Sequence, residues 1–391
     1  MTQANIDQLI QGEFDLEDGL IYLNHAAVSP WPRRTRDAVS TFANENYHQG
    51  SLHYPRWLQV EFALRKKIQA LINAPSTDDI ALIKNTSEAL SFVAQGIPWN
   101  AGDNIVITNQ EFPSNHIVWQ ALESRGVELR VASINSYDQD NPETSLFACC
   151  DKSTRMIAVS SVQYGSGLKM NLNRIGEFCH ANNILFLIDA IQSVGAVKFD
   201  VQECKAHFAM ADGHKWMLGP EGMGFFYCNE QNRDMLQLTQ YGWHMIEEMG
   251  NYKSQSWEMA KSARRFECGS PNMLGIHALD ASLSLILELG ITNIEQRIRQ
   301  KAELLLELIR DSSQLELVSP NNVERLAGIV TFKHKTVPAE DLYRQLMKQR
   351  ILCAERGGGV RYSPHFYTNQ SLIINAVEAA DSMSIAKIRI T

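Results

Sequence analysis

The stretch ADGHKWMLGPEGMGFFYC, residues 211–228, holds the combination that decides the fold: one lysine, a glycine-rich turn and a short apolar run. Lys215 stands among apolar residues, and the run 223–228 has the length and composition of a buried strand. Two interpretations of the lysine compete. Its stem could lie on apolar surface while the ammonium reaches water, or the amine could be desolvated so that its neutral, reactive form becomes accessible.

Outward from this stretch, short apolar runs alternate with helical patterns. Strands are predicted at 104–108, 155–162, 184–190 and 224–228, and helices at 57–74, from about 86, and at 171–183. Continuous apolar strands that alternate with helices indicate an α/β fold with a mostly parallel sheet covered on both faces. In such sheets, ligands bind beyond the carboxyl ends of the strands.

The pattern changes near residue 270. Long helices are predicted at 275–290 and 294–312, and a smaller βαβ-like region with a last helix at about 369–383 follows them. We therefore expect three parts, which are an N-terminal segment at 1–20, a large domain at 21–275 and a small α/β C-terminal domain at 276–391.

Composition excludes several classes of protein. The 391 residues carry a net charge of -8 with no basic block, which argues against a nucleic-acid partner. The seven cysteines form no C-x-x-C pair, which favours reduced thiols over a disulfide framework or a zinc site. The N-terminus lacks the apolar region of a signal peptide, and no run approaches the roughly 18 apolar residues of a membrane span. We expect a cytoplasmic protein with neither a metal nor a membrane partner.

Two side chains share the expected ligand-binding edge with Lys215. Asp189 ends the predicted strand FLIDA, and Gln192 follows three residues later. A carboxylate at a strand end can hold a cation, although an N-cap or a structural ion pair is the commoner role. Lys215 comes about one αβ unit further on, so we expect it near Asp189 in the same sheet.

Three further features favour an anionic, flat ligand. Thr86 and Ser87 open a helix, and the free N–H groups there can bind an anion, although simple N-capping would explain them too. Phe112 follows the strand at 104–108 and could cover a ring, or lie in the core. Arg361 lies behind three glycines and could clamp a carboxylate in bidentate fashion, or form a surface salt bridge.

Taken together, these features match one ligand, pyridoxal 5'-phosphate. The ligand has a ring nitrogen for the acid, a phosphate for the helix N-terminus, a ring face for the aromatic side chain and an aldehyde for the lysine. A nicotinamide oxidoreductase is excluded because the chain lacks the glycine fingerprint of a dinucleotide site.

The sequence resembles the class V aminotransferase family of fold-type I pyridoxal-phosphate enzymes, which includes cysteine desulfurases and isopenicillin-N-epimerase-like proteins. The resemblance runs from YLNHAAVSP (22–30) to VRYSPHFYTN (360–369), and its most specific motifs are FLIDAIQSVGA, DGHKW and RFECGSPN. It implies an aspartate-aminotransferase-like large domain and a smaller C-terminal domain. It also implies a homodimer with active sites at the subunit interface.

The same resemblance assigns a role to each candidate residue. Lys215 would join the cofactor aldehyde as an imine, and, once displaced by an amino-acid substrate, would take the Cα proton. Asp189 would pair with the ring nitrogen, Gln192 would reach the ring oxygen, and Phe112 would stack on the ring. The remaining roles fall to Thr86, Ser87 and His214 at the phosphate, Ser270 at a partner subunit's cofactor, Arg361 at the substrate carboxylate, and Asn24 and His25 at the substrate.

Two residues depart from the family pattern. Asp212 stands where many members place a serine that donates to the phosphate, and an ionised aspartate cannot donate, so we expect it to turn away or to bind another group. Tyr164 stands where cysteine desulfurases carry an asparagine, and either Gln163 or Tyr164 could take over its contact.

The expected activity is that of a class V aminotransferase-like transferase acting on an amino acid. The alternatives are a pyridoxal-phosphate lyase, an epimerase or a cysteine-desulfurase-like protein, and a non-catalytic protein that keeps the fold for binding. Persulfide chemistry is disfavoured because Cys353, the only cysteine near Arg361, lies in an apolar run where a packed thiol is expected.

Overall fold

The computed structural model describes residues 3–134, 141–251, 253 and 256–384. Residues 1–2 and 385–391, at the ends of the predicted N-terminal segment and small domain, lie outside the described part.

Strands and helices alternate through most of the chain. In chain order the strands are β1 (Ile21–Tyr22), β2 (Ile80–Ile83), β3 (Asn104–Thr108), β4 (Glu128–Ala132), β5 (Thr154–Ser160), β6 (Leu185–Asp189), β7 (Phe208–Asp212), β8 (Gly224–Cys228), β9 (Leu315–Leu317), β10 (Val330–His334), β11 (Ile351–Leu352), β12 (Ala354–Arg356) and β13 (Gly359–Tyr362). The α-helices are α1 (Gln3–Glu13), α2 (Arg33–Gln49), α3 (Tyr54–Ile72), α4 (Thr86–Gly96), α5 (Ser114–Gln120), α6 (Glu143–Ala148), α7 (Leu172–Ala181), α8 (Glu230–Arg233), α9 (Met273–Leu289), α10 (Ile291–Asp311), α11 (Ala339–Lys348) and α12 (Gln370–Asp381).

A seven-stranded sheet forms the centre of the larger part, in the order β2-β8-β7-β6-β5-β3-β4. All neighbours in it are parallel except β8, which runs antiparallel to both β7 and β2. The predicted mostly parallel sheet is therefore confirmed.

Apolar side chains cover both faces of this sheet, as the continuous apolar strands predict. Successive residues of a strand point to opposite faces, so Phe225 lies in one core cluster and Phe226 in the other. Leu64 of α3 and Leu279 of α9 cover the first face, and Leu90 of α4 covers the second. Packing on both faces holds the strands in place, which fixes the positions of the residues at their carboxyl ends.

The C-terminal part has a four-stranded sheet in the order β12-β13-β10-β9. Every pair in it is antiparallel, unlike the βαβ-like arrangement expected from the sequence. For β12 and β13 the physical reason is the connection, since Gly357 and Gly358 alone join the two strands, and a link this short forces a hairpin. Separately, β1 pairs in parallel with β11.

The two halves of α10 pack in different hydrophobic clusters. Ile298 packs in the cluster of the seven-stranded sheet, whereas Ala302 and Leu305 pack in the cluster of the four-stranded sheet. The division between residues 275 and 276 stays a prediction. Within the described residues no single helix is long and apolar enough to cross a membrane, and α9 and α10 meet that test only as a pair bent by 83°.

Candidate active site

A cavity of about 270 Å³ opens at the carboxyl edge of the seven-stranded sheet. Strands β6 and β7 end there in Asp189 and Asp212, and α4 begins beside them. Several residues predicted from the sequence line this cavity, namely Thr86, Ser87, Phe112, Asp189, Gln192, His214, Lys215 and Arg361. Asn24, His25 and Ser270 are not among its lining residues.

Lys215 follows β7 after a short turn, so the end of a rigid strand positions its amine. Its Nζ lies 5.8 Å from the centre of the Phe112 ring. Burial lowers the pKa of Lys215 to about 8; Asp189 opposes this effect and Arg361 adds to it. A usable fraction of the amine is therefore neutral near pH 7, as a nucleophile or a general base requires.

Asp189 is 3% exposed, and both of its oxygens are held. Oδ1 accepts the backbone N–H of Ile191 at 3.0 Å, and Oδ2 accepts from Asn115 Nδ2 at 2.9 Å. Burial raises the pKa of Asp189, and these hydrogen bonds and Lys215 act against that rise. The carboxyl group is fixed in place with lone pairs left over, which suits it to hold the N–H of a positively charged ring.

A second buried acid, Glu111, lies behind Asp189. Its Oε2 accepts from Ser160 Oγ at 2.5 Å and from Asn115 Nδ2 at 3.3 Å, and its Oε1 accepts from Gln163 Nε2 at 3.0 Å. Burial raises the pKa of Glu111, while the hydrogen bonds from Ser160 and Gln163 lower it. Asn115 thus joins the two acids into one network that orients Asp189.

Sequence reasoning missed Glu111 and Asn115. The signal for Glu111 was present in the sequence. Glu111 closely follows the carboxyl end of β3, and Asp189 was identified because it is an acid at the carboxyl end of a strand. The network also shows where Gln163 points: its amide serves Glu111, and Tyr164 lines the cavity instead.

The N-terminus of α4 faces the same cavity. Its N-cap is Asn85, whose Oδ1 accepts the backbone N–H of Glu88 at 2.9 Å. The predicted N-cap, Thr86 or Ser87, is therefore wrong, because the preceding asparagine is itself a strong cap and takes that position. Ser87 Oγ donates to Ser114 Oγ at 3.0 Å.

Asp212 occupies the donors at the start of α4. Thr86 Oγ1 donates to Asp212 Oδ1 at 3.1 Å, and the backbone N–H of Thr86 also bonds to this carboxyl group. Burial raises the pKa of Asp212 to about 6. His214 Nδ1 lies 3.7 Å from Asp212 Oδ2, too far for a hydrogen bond, and burial together with Lys215 lowers the pKa of His214 to about 4. Of the two outcomes expected for Asp212, the structure shows that it binds another group, namely Thr86.

Gln192 is held at both ends of its amide. Its Nε2 donates to the carbonyl oxygen of Ala26 at 3.0 Å, and its Oε1 accepts from Trp216 Nε1 at 2.8 Å. One N–H of the amide remains for a ligand. Phe112 is 43% exposed at the cavity and meets Tyr164 edge to face, with ring centres 5.2 Å apart.

Arg361 lies on β13 and reaches the cavity from the small sheet. Its Nη1 donates to the carbonyl oxygen of Tyr164 at 2.7 Å, and its Nε is buried without a hydrogen-bond partner. Burial lowers the pKa of Arg361 to about 10, and the neighbouring guanidinium of Arg356 acts in the same direction. Two cations on one cavity wall, neither of them in an ion pair with a described residue, favour an anionic ligand.

The other three predicted residues lie elsewhere. His25 is fully buried, with Nδ1 2.8 Å from the carbonyl oxygen of Ser363 and Nε2 2.7 Å from the Tyr367 hydroxyl, so both ring nitrogens are used within the protein. Asn24 forms a β-bridge with Ser363. Ser270 is exposed and lines a different cavity.

The side chains present fit pyridoxal phosphate with one conflict. A buried amine, a buried acid and an arginine stand on one cavity, and two buried polar atoms there, Arg361 Nε and His214 Nδ1, lack partners. Unpartnered buried groups cost about 1–3 kcal/mol each, so a ligand is expected to satisfy them. The conflict is Asp212, an acid at the helix terminus expected to bind the phosphate.

Comparison with known proteins adds independent support. A probable cysteine desulfurase from Methanothermobacter thermautotrophicus is 29% identical over 90% of this chain and 92% of its own length. A cysteine desulfurase from Escherichia coli (strain K12 / DH10B) is 31% identical over 80% of this chain and 77% of its own length.

Solved structures share the fold. The cysteine desulfurase from Thermococcus onnurineus NA1, in its apo form, has a TM-score of 0.85 at 23% identity, covering 98% of both chains. The cystine C–S lyase C-DES in complex with its product cysteine persulfide has a TM-score of 0.87 at 21% identity, covering 94% of this chain and 98% of its own. A C-DES mutant carries glycine covalently linked to its pyridoxal-phosphate cofactor, with a TM-score of 0.86 at 20% identity, covering 94% of this chain and 97% of its own.

The family profile described as aminotransferase class-V matches residues 21–367, and the matched range contains every residue of the cavity described above. This chain belongs to the class V aminotransferase family and is an enzyme that depends on pyridoxal phosphate.

Proposed function

We propose that this enzyme cleaves the Cβ–S bond of a cysteine-derived amino acid by elimination. Support comes from the curated relatives, which are cysteine desulfurases, and from the structural likeness to a cystine C–S lyase. These comparisons favour the lyase or desulfurase alternative over the aminotransferase-like transferase that the sequence first suggested.

One observation separates elimination from desulfuration. Among the described residues that line the cavity there is no cysteine, so no enzyme thiol stands ready there to accept sulfur. Cys353 is 2% exposed in the core of the small sheet, and burial raises the pKa of its thiol to about 12. A neutral, buried thiol is a poor nucleophile, so the sulfur is expected to leave on the departing half of the substrate.

Each cavity residue has a task in this reaction. Pyridoxal phosphate, when bound, supplies an aldehyde that carries the substrate amine and a ring that accepts its electrons. Arg361 binds the α-carboxylate, and the neutral amine of Lys215 removes the Cα proton. Asp189 stabilises the positive charge on the ring nitrogen, and the Glu111–Asn115 network keeps Asp189 in position.

The reaction balances without an oxidant or a second substrate other than water. The Cβ–S bond breaks with its electron pair on sulfur, which takes up a proton and leaves as a thiol or persulfide. The released 2-aminoacrylate reacts with water to give pyruvate and ammonium. The Cα proton held by Lys215 can be the one delivered to the sulfur.

The products distinguish the candidate reactions. The purified enzyme is incubated separately with cystine, cysteine and S-methylcysteine, and pyruvate, alanine and ammonium are quantified while the intact protein is weighed by mass spectrometry. We expect pyruvate and ammonium in equal amounts, no alanine and no added sulfur on the protein. Alanine with a persulfide on an enzyme cysteine would establish a desulfurase instead, and amino-group transfer to a 2-oxo acid would establish a transferase.

A further inference from the structure

An acid occupies the place where the cofactor's phosphate is expected. Asp212 ends β7 and is 9% exposed, and it accepts hydrogen bonds from both the hydroxyl and the backbone N–H of Thr86, the first residue of α4. The free N–H groups and the dipole at a helix N-terminus stabilise a bound anion. In this chain the Asp212 side chain already accepts hydrogen bonds from Thr86, which opens that helix.

The charges around Asp212 do not neutralise it fully. Asp189, on the neighbouring strand β6, disfavours a second negative charge, whereas Lys215 favours one. His214 Nδ1 lies 3.7 Å from Oδ2 and makes no hydrogen bond. On the other side, β8 places Gly224 opposite Asp212, which brings no charge, and Glu221, in the turn before β8, adds another acid to the cavity.

A bound phosphate would bring a further charge of about -1.5 to -2 near pH 7. Two anions that share one set of donors repel each other, and in such pairs one group keeps its proton. The Thr86 hydroxyl already donates to Oδ1 of Asp212, whereas no side chain among the described residues donates a hydrogen bond to Oδ2. Oδ2 is therefore the oxygen on which a proton could point toward the cavity.

We propose that Asp212 is protonated when pyridoxal phosphate is bound and donates a hydrogen bond to the phosphate, so that binding of the cofactor takes up a proton. A protonated carboxyl group is an O–H donor, like the serine that many members of the family carry at this position. It differs from serine in being conditional on pH: the donor is lost, and a negative charge appears, when the proton leaves.

The sign of the pH dependence follows directly. Burial already raises the pKa of Asp212 to about 6, and a neighbouring phosphate raises it further, so the complex holds a proton that the free protein has released above pH 6. The affinity for the cofactor should therefore fall by about tenfold per pH unit above pH 6, until the pKa of the complex is reached.

The test uses a ligand without the aldehyde, so that Lys215 cannot contribute its own titration. The dissociation constant of 4'-deoxypyridoxine 5'-phosphate for the full-length apoenzyme is measured by calorimetry from pH 6 to pH 9. Each measurement is made in two buffers of different ionisation enthalpy, which gives the number of protons taken up. The matched variants are Asp212→Asn and Asp212→Ser, and ionisation of the ligand's phosphate cancels when they are compared with the wild type.

We expect the wild-type dissociation constant to rise with pH relative to both variants, by tenfold or more between pH 6.5 and pH 8.5, with uptake of up to one additional proton at the higher pH. Equal pH dependence in wild type and variants, or equal proton uptake, would overturn the proposal. If the Asn variant does not fold, the Ser variant gives the same comparison.

A measurement on the holoenzyme tests the protonation state itself. The infrared difference spectrum between wild type and Asp212→Ser, both loaded with pyridoxal phosphate, should contain the carbonyl band of a protonated carboxylic acid at pH 8. Carboxylate bands at that position instead would mean that Asp212 stays ionised beside the phosphate, and the proposal would then be rejected.

Discussion

At the scale of single residues, the reaction depends on the Lys215 amine. Replacing Lys215 with alanine removes the group that joins the cofactor covalently and accepts the Cα proton, so we expect elimination to slow by about 10³-fold or more. Borohydride should fix pyridoxal phosphate to the wild type and fail to do so with Lys215→Ala. The matched control is Lys169→Ala, because Lys169 is another partly buried lysine whose pKa is lowered by burial. A Lys215→Ala protein that retained wild-type activity would refute the assigned role.

Site residues could be predicted where they lie at or near the end of a strand. Their side-chain contacts could not be predicted where residues distant in the sequence make them. Asp189 and Lys215 follow apolar runs whose direction the parallel sheet fixes, so their meeting at one edge could be expected. The contact of Asp212 with Thr86 could not be, since Asp212 ends β7 while Thr86 begins α4, and the sequence alone does not give the order of the strands in the sheet. The same limit hid the link between Glu111 and Asp189 through Asn115.

At the scale of elements, the cofactor site includes the start of α4, whose first residues line the cavity. Asn85 caps the helix, and the Glu88 carboxylate accepts the backbone N–H of Lys84 in return. We expect Asn85→Ala to lower the free energy of unfolding by about 1 kcal/mol, because the N–H of Glu88 loses its acceptor. Urea unfolding of the apoenzyme measures this, with Asn85→Asp as a control that keeps the cap. An Ala variant as stable as the wild type would show that the cap is dispensable.

Element type was easier to predict than element direction. The strand at 104–108 was predicted to the residue, and the helix at 275–290 was found at Met273–Leu289, because apolar runs and helical periodicity are local properties. The antiparallel direction of β8 and of the whole small sheet was not predicted. Periodicity is the same for both directions, and the sequence carried a signal of direction only for β12 and β13, in the short connection through Gly357 and Gly358.

At the scale of the whole molecule, the chain exposes several large apolar side chains within one segment, which comprises α2, α3 and the turn between them. Tyr47 is 83% exposed, Leu52 69% and Phe62 50%. Large apolar side chains that are exposed close together commonly mark a surface that another molecule covers. We propose that they belong to the interface of a homodimer, in keeping with the dimer that the family resemblance implies.

Sedimentation of the purified enzyme should therefore give a mass of two chains. Phe62→Glu would replace a large apolar ring with a charged side chain in the buried interface, which costs about 3 kcal/mol or more and weakens association by roughly a hundredfold. Val131→Glu is the matched control, because Val131 is 43% exposed on β4 at the opposite end of the sheet order from β2. Since Ser270 is exposed and lies outside the cavity of its own chain, dissociation of Phe62→Glu should also lower cofactor affinity if Ser270 serves the partner. A wild type that sediments as a single chain at micromolar concentration would contradict the interface.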